Sequence, residues 1–287
     1  MKLKQHHIGL LLALPAIIVM ALLTLYPIIY VFYLSLHKVS FYPKLTFEFV
    51  NIANYLSALS NRLFRISFLN TLLFVFGATV SEVALGLVFA LIFAWEFYGR
   101  KYIAPLVILP MMLPTIVVCS FWRIMLHTEF GVLNAILTAC NLPKINWLGD
   151  PRVAMWSIVL VDVWQYTPFV FLILYTSILS IPREIYEAAM IDGANRLQLT
   201  RYHILPLLKP QIVVVALLRI IDTFRVFDKV YALTAGGPGN ATEVLTFVIY
   251  KTAFRYYDFG LGSAEAVIML ATVLTIVMLY LYITRRR

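Results

Sequence analysis

Residues 181–194 read Ile-Pro-Arg-Glu-Ile-Tyr-Glu-Ala-Ala-Met-Ile-Asp-Gly-Ala, and a Leu-Pro pair follows at residues 205–206. Pro182 suits the first turn of a helix, where its missing N–H has no partner to lose, and good helix formers follow it. Gly193 interrupts that helix, and a second helical stretch is predicted between it and the Leu-Pro pair. The segment is therefore predicted to be two helices separated by a glycine turn.

Long apolar runs flank this segment on both sides. Val153–Ser180 precedes it and Gln211–Thr234 follows it after Pro210, and each has the roughly 20 apolar residues that cross a bilayer. The runs are continuously apolar rather than alternating, which disfavours the strands of a membrane barrel. The sequence therefore predicts an all-α integral membrane protein with six transmembrane helices and a long loop, residues 181–210, between spans four and five. The other four predicted spans are Ile8–Leu36, Ile66–Ala94, Ile103–Leu126 and Ala264–Thr284.

The composition supports a membrane protein and excludes several other classes. Apolar residues make up 62% of the 287 residues and charged residues only 13%, with a mean hydropathy of +0.88, whereas soluble domains have about 25% charged residues. A disulfide scaffold, a disordered regulator and an ordinary cytosolic enzyme are thus excluded. The two cysteines and five histidines show no metal-binding spacing, so no metal site is predicted.

The distribution of basic residues predicts the orientation. The first apolar run is longer than the core of a signal peptide, so we expect an uncleaved first helix. An even number of spans places both termini on one side, and eleven Lys and Arg residues flank spans on that side against eight on the other. Because basic residues are retained in cytoplasmic loops, the N and C termini are predicted to be cytoplasmic. The net charge of +9 is explained in this way, and no nucleic acid partner is predicted.

On this orientation the 181–210 loop lies on the cytoplasmic side. It is long for a connector, and its helical pattern leaves two interpretations open. It either docks to a cytoplasmic partner or lies as an amphipathic helix on lipid headgroups.

The fifth predicted span carries an unusual number of charges. Each charge costs about 2.5–3.5 kcal/mol at the centre of a membrane helix. At about 100° per residue, four of them share an arc of roughly 120°, so this face is expected to point into protein or a watery cavity. A structural ion-pair network and a solute pathway both remain open. The charged residues are Arg219, Asp222, Arg225, Asp228 and Lys229.

Two further acids lie inside predicted spans. Glu82 in span two is interpreted as a helix-packing residue. Asp162 in span four is followed by Gln165, Tyr166 and Thr167, a polar and aromatic patch. This patch either hydrogen-bonds and stacks on a sugar or serves as contact between helices.

The 181–206 segment resembles the EAA loop of permease subunits of binding-protein-dependent ABC importers. It has Glu-Ala-Ala at 187–189, a glycine four residues later and the Leu-Pro pair, in the family's position between spans four and five. Thr200 and His203 depart from the family, which usually has an aromatic residue and an isoleucine there. A second segment, Tyr231–Glu243, resembles the Leu-Thr-x-Gly-Gly-Pro outer loop of the carbohydrate-importer branch, and specifically of its maltose-permease-like first subunit. Weaker matches are Asn70-Thr71, Pro110, Pro114 and Gly131–Asn134.

The resemblance implies a type I ABC importer permease fold and assigns roles to residues. A first helix and outer loop (1–65) would precede a five-helix permease core (66–287) that contains the coupling loop 181–210. In the family this loop inserts into the ATPase subunit, a role that falls here to Glu187, Ala188, Ala189, Asp192 and Gly193. The outer loop motif is represented by Gly236, Gly237 and Pro238. The implied substrate pathway consists of Asp162, Tyr166, Phe169, Arg219, Asp222, Thr223 and Arg225.

The predicted function is thus that of a multi-pass permease subunit in the inner membrane of a prokaryote. It would import an oligosaccharide, a disaccharide or a related polyol or sugar phosphate. The partners would be a second homologous permease, two ATP-binding subunits and an extracytoplasmic binding protein. The chain lacks a phosphate-binding loop, so no enzymatic activity and no cofactor of its own are predicted, and ATP and Mg would bind to the partner subunits.

An alternative uses the same charged residues. An ion-coupled secondary transporter would employ Asp162, Asp222 and Arg219 as a relay and would carry an inverted repeat, which the sequence does not display. The arginines also leave open a phosphate or carboxylate on the solute.

Overall fold

A computed structural model of the chain describes residues 2–41, 44–95 and 97–285, with side chains from residue 12 to residue 284 of these ranges. Arg286 and Arg287, which the orientation argument uses, lie outside the described residues, and the orientation stays a prediction. The helices in the described chain are α1 (Lys2–Ser35), α2 (Ala53–Ser60), α3 (Arg62–Ala94), α4 (Arg100–Met112), α5 (Thr115–Met125), α6 (Val132–Ala139), α7 (Ala154–Leu179), α8 (Arg183–Ile191), α9 (Arg196–Leu199), α10 (Leu205–Thr223), α11 (Asp228–Leu233), α12 (Leu245–Tyr250) and α13 (Phe259–Arg285).

The prediction of a mostly helical membrane protein is confirmed. Five helical segments in the described chain are long and apolar enough to cross a membrane: α1, α3, α7, the run from α9 to α10, and α13. The bent pair α4 and α5 brings the number to six if it counts as one span. A two-stranded hairpin, β1 (His37–Ser40) with β2 (Thr46–Phe49), follows α1 and was not predicted.

The third span is broken, contrary to the prediction of one helix over Ile103–Leu126. Helices α4 and α5 meet at an angle of 100°. Leu113 is extended at the break, with ψ of 136°, because Pro114 disfavours the helical conformation of the residue before it and has no N–H to continue the ladder. The Gln165 side chain of α7 donates to the Leu113 carbonyl at 3.1 Å and so satisfies a group that the break leaves free.

The fifth span begins and ends earlier than predicted. Helix α9, a π-helical turn at Thr200–Ile204 and α10 form one continuous run over Arg196–Thr223, so the prolines at 206 and 210 lie within it. This π-helical turn contains Thr200 and His203, the two positions at which the loop departs from the pattern of the EAA-loop family. The predicted arc consists of Arg219, Asp222, Arg225 and Lys229. Because the helix ends at Thr223, Arg225 and Lys229 do not share a helical face with Arg219 and Asp222. The predicted arc of four charges is wrong.

The chain divides into two compact units. The first contains residues 1–65 and 248–272. In it, the antiparallel hairpin pairs His37 with Phe49 and Ser40 with Thr46. The Asn54 amide of α2 donates to the carbonyls of Ser35 and His37 at 2.9 and 3.1 Å, which fixes the junction between α1 and the hairpin.

The second unit contains residues 66–247 and 273–287. One end of it has an apolar core in which side chains of α3 and α7 pack with the helices of the 181–210 loop. Buried members of this core are Phe93, Phe171, Leu174, Ile178, Ala189, Leu199, Ile204 and Leu208. The 181–210 loop is therefore packed against α3 and α7.

Candidate functional site

A buried ion cluster lies inside the second unit, centred on Arg219 of α10. Its side chain is 3% exposed. Nε and Nη2 bind the two oxygens of Glu82 on α3 at 2.6 and 3.0 Å. Nη2 also donates to Asp162 of α7 at 3.1 Å, and Nη1 donates to Asp222 at 2.6 Å. One guanidinium thus joins three spans, in the paired, bidentate geometry that makes Arg–carboxylate contacts strong.

A second cation completes the cluster. Lys229 of α11 donates from Nζ to Asp162 Oδ1 at 2.5 Å, so the Asp162 carboxylate binds one cation on each oxygen. The ring centroid of Tyr166 lies 4.4 Å from Arg219 Cζ and 4.4 Å from Lys229 Nζ, within the range of cation–π attraction. The charges of the span are tolerated because an unpaired buried ion costs several kcal/mol and these ions are paired.

Two cavities adjoin the cluster. One, of about 190 Å³, is lined by polar groups. The other, of about 330 Å³, falls within the roughly 300–1,000 Å³ of small-molecule sites. Four side chains line both: Tyr166, Arg219, Asp222 and Arg225. The Asp222 side chain is 49% exposed, so one member of the cluster is open to a ligand.

The structure brings the predicted pathway residues together. Asp162 and Thr223 line the first cavity, Phe169 lines the second, and the remaining four line both. Arg225 reaches the site from the turn after α10 rather than from the helix itself. The Thr223 hydroxyl donates back to the Arg219 carbonyl at 2.7 Å, within the last turn of α10.

Four polar or charged residues of the site were not assigned to the pathway by the sequence. Glu82 was interpreted as a packing residue, yet it is the bidentate partner of Arg219. Lys229 was noted only as part of the supposed arc, and Thr115 and Asp228 line the first cavity. A charge within an apolar span was the available signal for Glu82, but a partner 137 residues away has no signature in one sequence.

In the polar patch next to Asp162, Gln165 and Tyr166 have different roles. Gln165 serves contact between helices, since it binds the carbonyl at the break of span three. Tyr166 lines both cavities and contacts the two cations. Only Tyr166 is thus placed to meet a solute.

Helix α8 follows α7 and begins after Pro182. Glu187 and Ala188 are exposed, whereas Ala189 is buried in the apolar core. Asp192 is exposed, and Gly193 has φ of +79° with no atom within 4 Å of the position of a Cβ. Glycine is therefore favoured there by backbone conformation rather than by crowding.

The opposite side of α8 is fixed to its surroundings. The Tyr186 hydroxyl donates to the Ile178 carbonyl at 3.5 Å, and burial raises the pKa of Tyr186. Asn195 and Gln198 form a capping box that starts α9, and the Arg196 guanidinium lies 4.9 Å from the Trp95 ring. Helix α8 is thus packed against the protein on one face and exposed on the other.

The outer loop motif forms a tight turn. Gly236 has φ of +85°, and a Cβ there would lie 2.3 Å from Glu243 Oε2 and 3.0 Å from the Phe247 ring. The Gly237 carbonyl accepts from the Thr242 hydroxyl at 2.7 Å, and the Gly237–Pro238 peptide is cis. Both the conformation and the close approach require glycine at position 236.

Two motifs far apart in the sequence meet at this turn. Asn70 of α3 donates to the carbonyls of Asn240 and Glu243 at 3.1 and 3.0 Å. The Leu245 N–H, at the start of α12, donates to the Thr71 hydroxyl at 2.9 Å. The Asn70-Thr71 pair thus holds the outer loop motif in place.

The chain resembles characterised transport proteins over its whole length. Residues 82–287 match the family described as binding-protein-dependent transport system inner membrane component. The trehalose/maltose transport system permease protein MalF of Thermococcus litoralis is 39% identical, over 100% of this chain and 97% of the relative. The sulfoquinovosyl glycerol transport system permease protein SmoG of Agrobacterium fabrum is 31% identical, over 99% and 92%. A solved bacterial ABC transporter that imports the acidic polysaccharide alginate has a chain of the same fold, with a TM-score of 0.87 at 21% identity, over 99% and 97%.

Proposed function

The chain belongs to the family of binding-protein-dependent transport system inner membrane components, and we propose that it is the permease subunit of an ATP-driven importer for a sugar or sugar-like solute. One observation carries the proposal. The charged cavities are built largely on α7 and α10, and the open helix α8 lies between these two spans in the chain. A displacement of α8 is therefore transmitted to both walls of the cavities.

The solute class is supported by the relatives and by the lining. The two relatives compared above are named for trehalose/maltose and for sulfoquinovosyl glycerol, all of which are glycosides. Carboxylate, guanidinium and phenol groups line the first cavity, and these groups hydrogen-bond to hydroxyls. The proposed solutes are an oligosaccharide, a disaccharide or a related polyol or sugar phosphate, and the lining groups would bind the hydroxyls that all of them carry.

The exposed face of α8 is suited to a protein partner. Met190 and Ile191 are 61% and 86% exposed, and they adjoin the exposed acids Glu184, Glu187 and Asp192. Acidic groups are repelled by anionic headgroups, which argues against a helix that rests on lipid. We assign this face to an ATP-binding subunit, with Glu187, Ala188, Asp192 and Gly193 at the contact and Ala189 anchoring the helix beneath it.

The mechanism is alternating access. Closure of two ATPase subunits on ATP would move α8, and with it α7 and α10, so that the cavities open outward and receive solute from an extracytoplasmic binding protein. Hydrolysis would reset the inward-facing state. In this proposal the chain itself hydrolyses nothing and binds no cofactor, while ATP and Mg belong to the partner subunits.

The proposed importer also contains a second permease subunit and an extracytoplasmic binding protein. A second homologous permease would pair with the 66–287 core, and Gly236, Gly237 and Pro238 would shape the outer loop toward the binding protein. Both termini would face the cytoplasm of a prokaryote, with the chain spanning its inner membrane.

Co-purification tests the proposal. The tagged chain, expressed with its genomic neighbours, is expected to retain an ATP-binding subunit, and the reconstituted complex to hydrolyse ATP faster when sugar-loaded binding protein is added. Uptake of sugar by the chain alone, driven by an ion gradient, would overturn the importer mechanism and favour the ion-coupled transporter.

A further inference from the structure

We propose that this permease selects neutral glycosides over anionic ones and that Asp222 is the residue that sets this selectivity. The inference rests on the proposed function and narrows its substrate class. It follows from how the groups around the cavities are already occupied.

Arg219 is committed within the protein and cannot serve as an anion receptor. A guanidinium has five N–H groups. Four of them are directed to carboxylates, namely one at Nε, two at Nη2 and one at Nη1. The side chain is also buried to 97% of its surface, since 3% is exposed. An anionic solute would have to displace an internal carboxylate to reach it.

Lys229 is committed in the same way. Its side chain is 4% exposed, and Nζ lies 2.5 Å from Asp162 Oδ1. The second oxygen of Asp162 is taken by Arg219. With Glu82 and Asp222 included, the cluster holds three carboxylates and two cations, so each cation of the cluster already has a carboxylate partner.

Asp222 is the member of the cluster that faces a ligand. Arg219 holds its Oδ2 at 2.6 Å, and 49% of the side chain is exposed. The carboxylate lines both cavities. A carboxylate accepts hydrogen bonds and donates none when ionised, so a group fixed in this position is prepared to accept from sugar hydroxyls with little reordering.

The remaining charged groups at the cavities do not add an excess of positive charge. Arg225 and Asp228 are both exposed and both line the first cavity. In the first cavity the charge of Arg225 is offset by Asp228, and in the second, which Asp228 does not line, it is offset by Asp222. The lining therefore offers an anionic solute no excess positive charge to offset the loss of its hydration, whereas a neutral polyhydroxylated solute loses much less hydration.

The experiment compares trehalose with trehalose 6-phosphate, which differ by one phosphate group. Binding of each to the purified full-length permease in nanodiscs is measured without a binding protein, so that the selectivity is that of the permease. The wild type is expected to bind trehalose about tenfold more tightly or better, the equivalent of one lost charge-assisted hydrogen bond. Equal or tighter binding of the phosphate overturns the proposal, and this arm needs no variant.

A substitution identifies the residue. Asp222→Asn keeps the size and an oxygen for Arg219 but removes the charge, and the selectivity ratio is expected to fall by about tenfold. Asp150→Asn is the matched control, because Asp150 pairs with Arg152 in a loop away from the cavities, and its ratio should equal that of the wild type. An unchanged ratio in Asp222→Asn overturns the assignment to this residue.

A third variant tests the competing anion site. Because Arg225 lines both cavities, Arg225→Gln is expected to weaken the binding of trehalose and of trehalose 6-phosphate to a similar extent and so to keep their ratio. A selective loss of phosphate binding would identify Arg225 as an anion receptor and overturn the proposal. Failure of the chain to retain an ATP-binding subunit would count against the importer function instead, and it would not alter the selectivity ratio measured on the permease.

Discussion

Arg219 on α10 and Glu82 on α3 form a bidentate ion pair in the interior, with N–O distances of 2.6 and 3.0 Å and side chains that are 3% and 0% exposed. This pair connects residues 137 positions apart in the chain. Its burial separates it from surface ion pairs, whose contribution is small because water and salt screen them.

Substitution of Glu82 by Ala is expected to destabilise the protein strongly. Removing one partner of a buried ion pair typically costs about 3–5 kcal/mol, because the other charge is left uncompensated. The thermal unfolding of the detergent-solubilised protein measures this loss. Glu129→Ala is the control, since Glu129 forms an exposed pair with Lys144, and its melting temperature should match that of the wild type. Equal melting temperatures for the two variants would contradict the prediction that the buried ion cluster stabilises the protein.

The two glycines of the outer turn are expected to differ in tolerance. Gly236→Ala places a Cβ at 2.3 Å from Glu243 Oε2 in a left-handed backbone, whereas Gly239→Ala has φ of +55° and open space around it. The second variant should cost about 1–2 kcal/mol of backbone strain, and the first more, because a buried side chain must also move. Melting temperatures of the two variants provide the comparison, and a smaller loss for Gly236→Ala would refute the packing argument.

Glu187→Ala is expected to abolish transport without unfolding the chain. Glu187 is exposed on α8, so its substitution should leave the free energy of unfolding within about 0.5 kcal/mol of the wild type. Stimulation of ATP hydrolysis by sugar-loaded binding protein should disappear. Gly193→Val should also abolish transport, but with some loss of stability, because φ of +79° strains a β-branched residue. Normal uptake by both variants would remove the coupling assignment.

Tyr166 offers a way to separate the ring from the hydroxyl. Tyr166→Phe keeps the ring 4.4 Å from both cations and should leave the stability unchanged. Tyr166→Leu loses two cation–π contacts, each worth about 0.5–2 kcal/mol, and should lower the melting temperature. Reduced sugar affinity in Tyr166→Phe at wild-type stability would assign a hydrogen bond to the hydroxyl. The same melting temperature for the Phe and Leu variants would argue against the cation–π contacts.

The existence of the membrane helices could be predicted because about 20 consecutive apolar residues leave few other structures in a bilayer. Their breaks could not. Phe224, Val226 and Phe227 continue the apolar run past Thr223, so hydropathy does not register the end of α10. Pro114 marks a weak point in span three, but the Leu113 carbonyl at the 100° bend is satisfied by Gln165, which reaches it from another helix, and one sequence carries no sign of that contact.

The candidate site was predictable in part for a similar reason. A charge in an apolar span indicates a polar interior, and the resemblance located seven residues that the structure brings to the two cavities. The partners within the cluster are set by tertiary packing. Glu82 and Lys229 belong to the site because α3 brings Glu82 to Arg219 of α10 and α11 brings Lys229 to Asp162 of α7.

Because Asp162 binds two cations, the geometry of the site is expected to be insensitive to salt concentration. Its two oxygens bind cations that belong to separate elements, Arg219 of α10 and Lys229 of α11. Their relative position is thus fixed by one carboxylate that is 4% exposed. Dissolved ions screen buried pairs much less than exposed ones, so the shape of the cavity wall is expected to be the same in dilute and in saline surroundings.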